Sequence, residues 1–208
     1  ARSLMENEQQ QGLSHFIEHM AFNGTKNFPA GEMVEYFQRL GMSFGGDTNA
    51  HTSFKETVYK LELPKPELDM VDQGMLLFRD YADGMLMSQE EIEKERGVIL
   101  SELITRDSAE WRTQKEAYKF ALPDSLISKR FPIGKKEVIK GAGRPEFMNY
   151  YNKWYTSDRM ALVIVGDVEP KEIVPIITKH FSSMSAPKIT IEDPNLGKIT
   201  VGRGVITK

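Results

Sequence analysis

Residues 13–20 read Leu13-Ser14-His15-Phe16-Ile17-Glu18-His19-Met20, and no other stretch constrains the fold as tightly. Leu13, Phe16, Ile17 and Met20 recur at the spacing of one helix face. Residues 9–22 are therefore expected to form a helix with that face apolar. Gly24 is its expected stop, because glycine takes the left-handed conformation that ends helices. His15 and His19 are four apart, which puts both imidazoles on one side about a turn from each other. Glu18 follows His15 by three and shares that side.

Two neutral imidazoles at this separation can grip one zinc ion. A carboxylate at position 18 reaches a water held by the metal and can take its proton as general base. The order His-x-x-Glu-His is the inverted form of a known zinc-peptidase motif. By itself it fixes only three residues of five, and a helix with two surface histidines and a salt-bridging glutamate reads the same way. A catalytic zinc also needs a third protein ligand and an open position. Glu95 and Glu102 are seven apart on the helix that Ser88 is expected to cap, with Glu91 completing a capping box. Two turns put them on nearly the same face. They lie at the edge of an apolar stripe of Ile92, Val98, Ile99 and Leu103, where a carboxylate needs a partner such as a metal or an imidazole. Glu90, Glu91 and Glu93 read as a solvated face. From the residues alone, either member of the pair could complete the site. Two histidines and a carboxylate also suit an iron centre for oxygen chemistry, but Glu18 between the histidines has no job there.

The remainder of the chain narrows the class. Its 208 residues suffice for a buried core without staples. The net charge of -3 gives no nucleic-acid footprint. The absence of cysteine excludes disulfides, thiolate metal sites and a cysteine nucleophile. No apolar run reaches the ~18 residues of a spanning helix. The chain begins Ala1-Arg2-Ser3 without a methionine, so its true N-terminus is expected to be missing, and any targeting segment with it; the compartment stays open, with a periplasmic or otherwise exported location as the guess. Helices are expected over 29–40, 67–85, 88–106, 145–154 and 170–181. Strands are expected over 57–63, over 160–165 as a buried strand, and near 199–205. Residues 108–120 read as a polar, partly aromatic segment and 121–144 as loop with short helical pieces. Trp111, Tyr118 and Phe120 are expected in core or interface. His180 ends a helix, where a cation suits the dipole. This mixture without strict alternation points to an α+β fold, with helices packed on a mostly antiparallel sheet. Residues 1–185 are expected to form the metal-binding domain, and 186–208 a terminal strand or linker.

The run Gly12-Leu13-Ser14-His15-Phe16-Ile17-Glu18-His19-Met20-Ala21-Phe22-Asn23-Gly24-Thr25 resembles the zinc helix of the pitrilysin/insulinase peptidases, which include insulin-degrading enzyme and the mitochondrial processing peptidase. Glu95-Arg96-Gly97-Val98-Ile99-Leu100-Ser101-Glu102 is similar to that family's second metal segment. The resemblance implies Zn2+ as cofactor, Glu102 as third ligand, Glu95 as an acid that orients the metal-bound imidazoles, and Glu18 as catalytic base. Gly45-Gly46-Asp47-Thr48-Asn49-Ala50-His51-Thr52 resembles the family's substrate-docking edge strand, which implies backbone contacts to an extended peptide at Asn49 and Ala50. The family pattern does not use His51 as a ligand. Phe131-Pro132-Ile133-Gly134, Trp154-Tyr155 and 163–167 also resemble the family. The implied partners are a peptide or unfolded polypeptide substrate and a homologous domain, C-terminal in the same parent chain or in a dimer partner, which completes the active site. This chain alone is then expected to hold zinc and hydrolyse little, with its first strand cut short. Loss of catalysis, leaving a peptide-binding or scaffold module, is the competing expectation.

Overall fold

The computed structural model describes residues 1–185 and 191–199, apart from Leu40, Phe44 and Asp47. The expected boundary at residue 186 and most of the strand expected near 199–205 lie outside the described residues. So do Leu40, from the second helix, and Asp47, from the glycine-rich turn. The elements in order are α1 (Leu13–Met20), α2 (Glu32–Arg39), β1 (Thr48–Thr52), β2 (Thr57–Leu61), α3 (Leu68–Asp83), α4 (Gln89–Thr105), α5 (Ala109–Ala121), α6 (Lys136–Gly141), α7 (Arg144–Trp154) and α8 (Pro170–Phe181). The architecture is α+β and helix-rich. Among the described residues the sheet is a two-stranded antiparallel one, with Asn49 opposite Lys60 and Ala50 opposite Tyr59. None of the described helices is long and apolar enough to cross a membrane.

Helix α1 is the centre of the molecule. It packs against β1, α4 and α7, and each of its residues except His19 is buried. Leu13, Phe16, Ile17 and Met20 are all fully enclosed, and burying four such side chains contributes roughly 1.5–3 kcal/mol each. Phe16 meets Phe147 of α7 edge to face at 4.7 Å, and Ile92 and Ile99 of α4 close the other side. Gly12 opens α1 at φ 104. A side chain at Gly134 would sit 2.3 Å from the Gly12 Cα, so the loop at 131–135 abuts the helix start backbone to backbone.

Helix α4 begins as its sequence predicts, with Ser88 Oγ accepting from Glu91 N. The Glu91 carboxylate turns instead to Lys94. The stripe also differs at one position. Ile92 and Ile99 are buried, but Val98 is 52% exposed, because one residue off the stripe is about 100° around the helix. The segment read as polar and partly aromatic over 108–120 forms helix α5 (Ala109–Ala121), capped by Ser108 Oγ accepting from Trp111 N. Trp111 and Tyr118 pack on the Phe131 ring, and Phe120 is 46% exposed. His180 bonds Asp72 of α3 through Nε2 at 2.8 Å, joining α8 to α3. The buried strand expected at 160–165 is not formed. Val163 and Val165 are 78% and 91% exposed, and no described strand lies alongside to satisfy the segment's backbone, which is what turns an apolar run into a strand.

The Phe16–Phe147 contact yields a stability prediction. Phe147→Ala should lower the unfolding free energy by about 3–5 kcal/mol, read as a lower urea midpoint with unchanged slope.

Candidate metal centre

Three elements deliver the polar side chains to one place. Helix α1 brings His15, Glu18 and His19, α4 brings Glu95 and Glu102, and β1 lies alongside, with Thr52 Oγ donating to the Ser14 carbonyl. His15, His19 and Glu102 each offer a ligand atom, and these atoms lie within 4.8 Å of one another. Glu102 Oε2 is 3.5 Å from His15 Nε2 and 3.6 Å from His19 Nε2. Around one ion with metal–ligand bonds of about 2.0–2.1 Å, tetrahedral ligand atoms stand about 3.4 Å apart. The two carboxylate–imidazole separations therefore match those around a zinc-sized ion.

The surrounding bonds fix which atoms face inward. Glu95 Oε1 holds His19 Nδ1 at 2.8 Å, leaving Nε2 toward Glu102. Asn23 Nδ2 donates to the other Glu95 oxygen at 2.9 Å. Arg106, one turn beyond Glu102, takes Glu102 Oε1 at 2.6 Å and leaves Oε2 for the histidines. His15 differs: its Nδ1 is buried and has no hydrogen-bond partner among the described residues.

Protonation follows these environments. Burial, with the charges of His19 and Arg106 adding to it, pushes His15 down to about 3, so it stays neutral. Burial also opposes the charge on His19, but the Glu95 hydrogen bond and the nearby carboxylates outweigh it and raise the pKa. The bond to His19 lowers Glu95 despite its burial. Burial raises Glu18, moderated by the Thr52 hydroxyl and by His19, and its Oε2 is buried without a hydrogen-bond partner. An acid raised by burial beside a metal-ligand cluster is the usual environment of a general base.

The sequence-predicted residues thus converge, with Glu95 against His19 and Glu102 between the two histidines. Asn49 is exposed and Ala50 half-buried on β1. The Ala50 N–H donates to its neighbour's Asn49 Oδ1 at 2.8 Å. Three contributors escaped sequence reasoning. Arg106 was visible in principle, since it lies four after Glu102, at the cap of the same helix. Asn23 is four after His19, but beyond the end of α1. Glu6, which bonds the start of α1, leaves no local signal.

Known proteins resemble this chain in sequence and in fold. The family model described as insulinase (peptidase family M16) matches residues 1–124, and that described as the peptidase M16 inactive domain matches 143–207. The chain is 34% identical over 186 residues to the probable zinc protease PqqL of Escherichia coli strain K12, covering 89% of this chain and 20% of that protein. It is 31% identical over 194 residues to a PQQL-like zinc protease of Arabidopsis thaliana, covering 91% and 20%. The crystal structure of the first half of the E. coli periplasmic protease PqqL superposes with a TM-score of 0.87 at 33% identity, covering 93% of this chain and 42% of that one. The chain thus spans about a fifth of the length of these curated relatives.

Zinc held by His15 and His19 would be bound in a specifically pH-dependent way. A pKa lowered on folding means that His15 takes no proton until about pH 3, whereas the raised His19 is protonated below its pKa and must shed that proton to bind. Between about pH 5 and 6.5 the histidine pair should contribute one proton, weakening zinc about tenfold per pH unit rather than a hundredfold. Glu95→Gln should move the onset to lower pH. Competition against a chromophoric chelator across that range checks both.

Proposed function

The chain belongs to the insulinase (M16) peptidase family, and on that premise we propose that it is the zinc-binding part of a metallopeptidase that hydrolyses peptide bonds. The observation that carries this reading is the convergence of His15 Nε2, His19 Nε2 and Glu102 Oε2, with Glu18 between the histidines and one of its oxygens unpaired. His15, His19 and Glu102 would hold the ion, and Glu95 would keep the His19 ring turned toward it. Bound zinc supplies a Lewis acid that acidifies a water and polarises a carbonyl. Glu18 acts on the protons. Its buried carboxylate accepts one from the attacking water and returns it to the departing amine.

Asn49 and Ala50 give β1 its role. The strand pairs with β2 along one edge, and its position against α1 brings an extended peptide beside Glu18. Strand addition of this kind holds substrate by main-chain bonds, with little demand on sequence. A docking peptide would take the Ala50 N–H from Asn49. The substrate class in this reading is an unfolded or extended polypeptide. The remaining groups of the active site would come from a homologous domain of the parent chain or of a partner. Export fits the periplasmic location stated for the E. coli relative. The competing scaffold reading draws on the inactive-domain model over 143–207, and the same variants separate the two.

Glu102→Gln in this chain should abolish stoichiometric zinc binding, measured by metal analysis after desalting. In the full-length parent, Glu18→Gln should retain zinc and lose peptide hydrolysis by about 10²–10⁴-fold, while this chain alone binds zinc and hydrolyses peptides weakly or not at all. A zinc-loaded parent without peptidase activity would turn the assignment to the scaffold.

A further inference from the structure

We propose that Glu6 is a positioning residue for the metal centre, capping the helix that carries both histidines and setting the place of His15. Helix α1 cannot cap itself, because its first residue outside the helix is Gly12, without a side chain. The N–H groups at a helix start need an acceptor. Glu6, from a segment outside the helix, supplies two: Oε2 accepts from Gly12 N at 3.0 Å and Oε1 from Ser14 N at 2.9 Å. Its side chain is 2% exposed. Burial pushes its pKa up to about 8 against the pull of those two donors and Arg130, so the carboxyl is held there at a cost in solvation.

The cap is itself pinned. Arg130 donates through Nε to the Glu6 carbonyl at 2.8 Å and through Nη2 to Glu8 at 2.8 Å. At the same helix start, Lys135 N donates to the Gln11 carbonyl, and Gly134 lies against Gly12. The first turn of α1 is thereby clamped between Glu6 and the loop at 131–135.

The two histidines depend on this clamp unequally. Metal-binding histidines are ordinarily oriented by a bond to the ring nitrogen that does not bind metal. His19 has that bond, from Glu95. His15 Nδ1 has none among the described residues, so its ring is placed by packing and by the backbone on which it sits. That backbone begins at Ser14, the residue Glu6 holds.

This inference rests on His15 being a zinc ligand. The test compares zinc affinity, by chelator competition, and the visible spectrum of the cobalt-substituted chain between wild type and Glu6→Gln. The variant keeps the shape of the side chain but sets an amide donor against a backbone donor. Loss of about tenfold in zinc affinity, with shifted cobalt bands at a temperature where circular dichroism shows a folded helix, is the expected result. Ile173→Ala, in the separate apolar cluster of Val71, Met75 and Ile173, is the control for stability alone and should leave the cobalt bands in place. Wild-type affinity and spectrum in Glu6→Gln would overturn the proposal while leaving the metal site standing. A wild-type chain that binds no zinc would overturn both. If Glu6→Gln does not fold, Glu6→Asp carries the comparison, since it keeps the acid but falls a methylene short of spanning both donors. Weakened zinc at unchanged melting temperature then supports the role, and unchanged zinc overturns it.

Discussion

The candidate site and the main core around it depend on the burial of one short helix. Helix α1 is only eight residues long, too short to persist alone in water. It exists because Leu13, Phe16, Ile17 and Met20 are enclosed by β1, α4 and α7. The same enclosure carries His15 and Glu18 out of solvent. The chemistry of the site is therefore a by-product of core packing: burial keeps His15 neutral and raises Glu18, so an unfilled core would change their protonation as well as their positions.

Taking polar groups inside requires partners, and the chain supplies them from distant segments. Glu95 takes His19, Asn23 takes Glu95, and Arg106 takes Glu102. Glu6 takes the start of the helix. Together these links leave three candidate ligand atoms and one carboxylate oxygen of Glu18 unengaged by protein hydrogen bonds of normal length. The electrostatic asymmetry between the two histidines comes from this supply, since one ring has a carboxylate behind it and the other does not.

Much of this was legible in the sequence where the signal is local and periodic. The apolar spacing around His15 and His19, the Ser88 cap and the seven-residue interval between Glu95 and Glu102 all have the periods of the helices that carry them. Legibility failed where an assignment depends on a neighbour. Residues 160–165 have the composition of a strand but no described strand beside them, and all but the half-buried Ile164 lie exposed. Residues 108–120 looked polar because helix α5 has no fully buried residue, although Ser108 carried a capping signal. Val98 belonged to the apolar composition of its helix and not to the buried face. Glu6 was invisible for a different reason, since a carboxylate that caps a helix from outside it leaves no fixed spacing to recognise.

The division of labour between the two oxygens of Glu102 bears on which ion such a site selects. With Oε1 engaged by Arg106 at 2.6 Å, the carboxylate has a single oxygen for an ion, and the imidazoles add one nitrogen each. Calcium seeks six to eight oxygens, often including both from one carboxylate, and magnesium an octahedron of oxygen donors. A donor set of two nitrogens and one oxygen satisfies neither, and suits a borderline-soft ion content with four ligands. Arg106 would thus bear on ion identity by limiting how much of its neighbour's carboxylate is on offer.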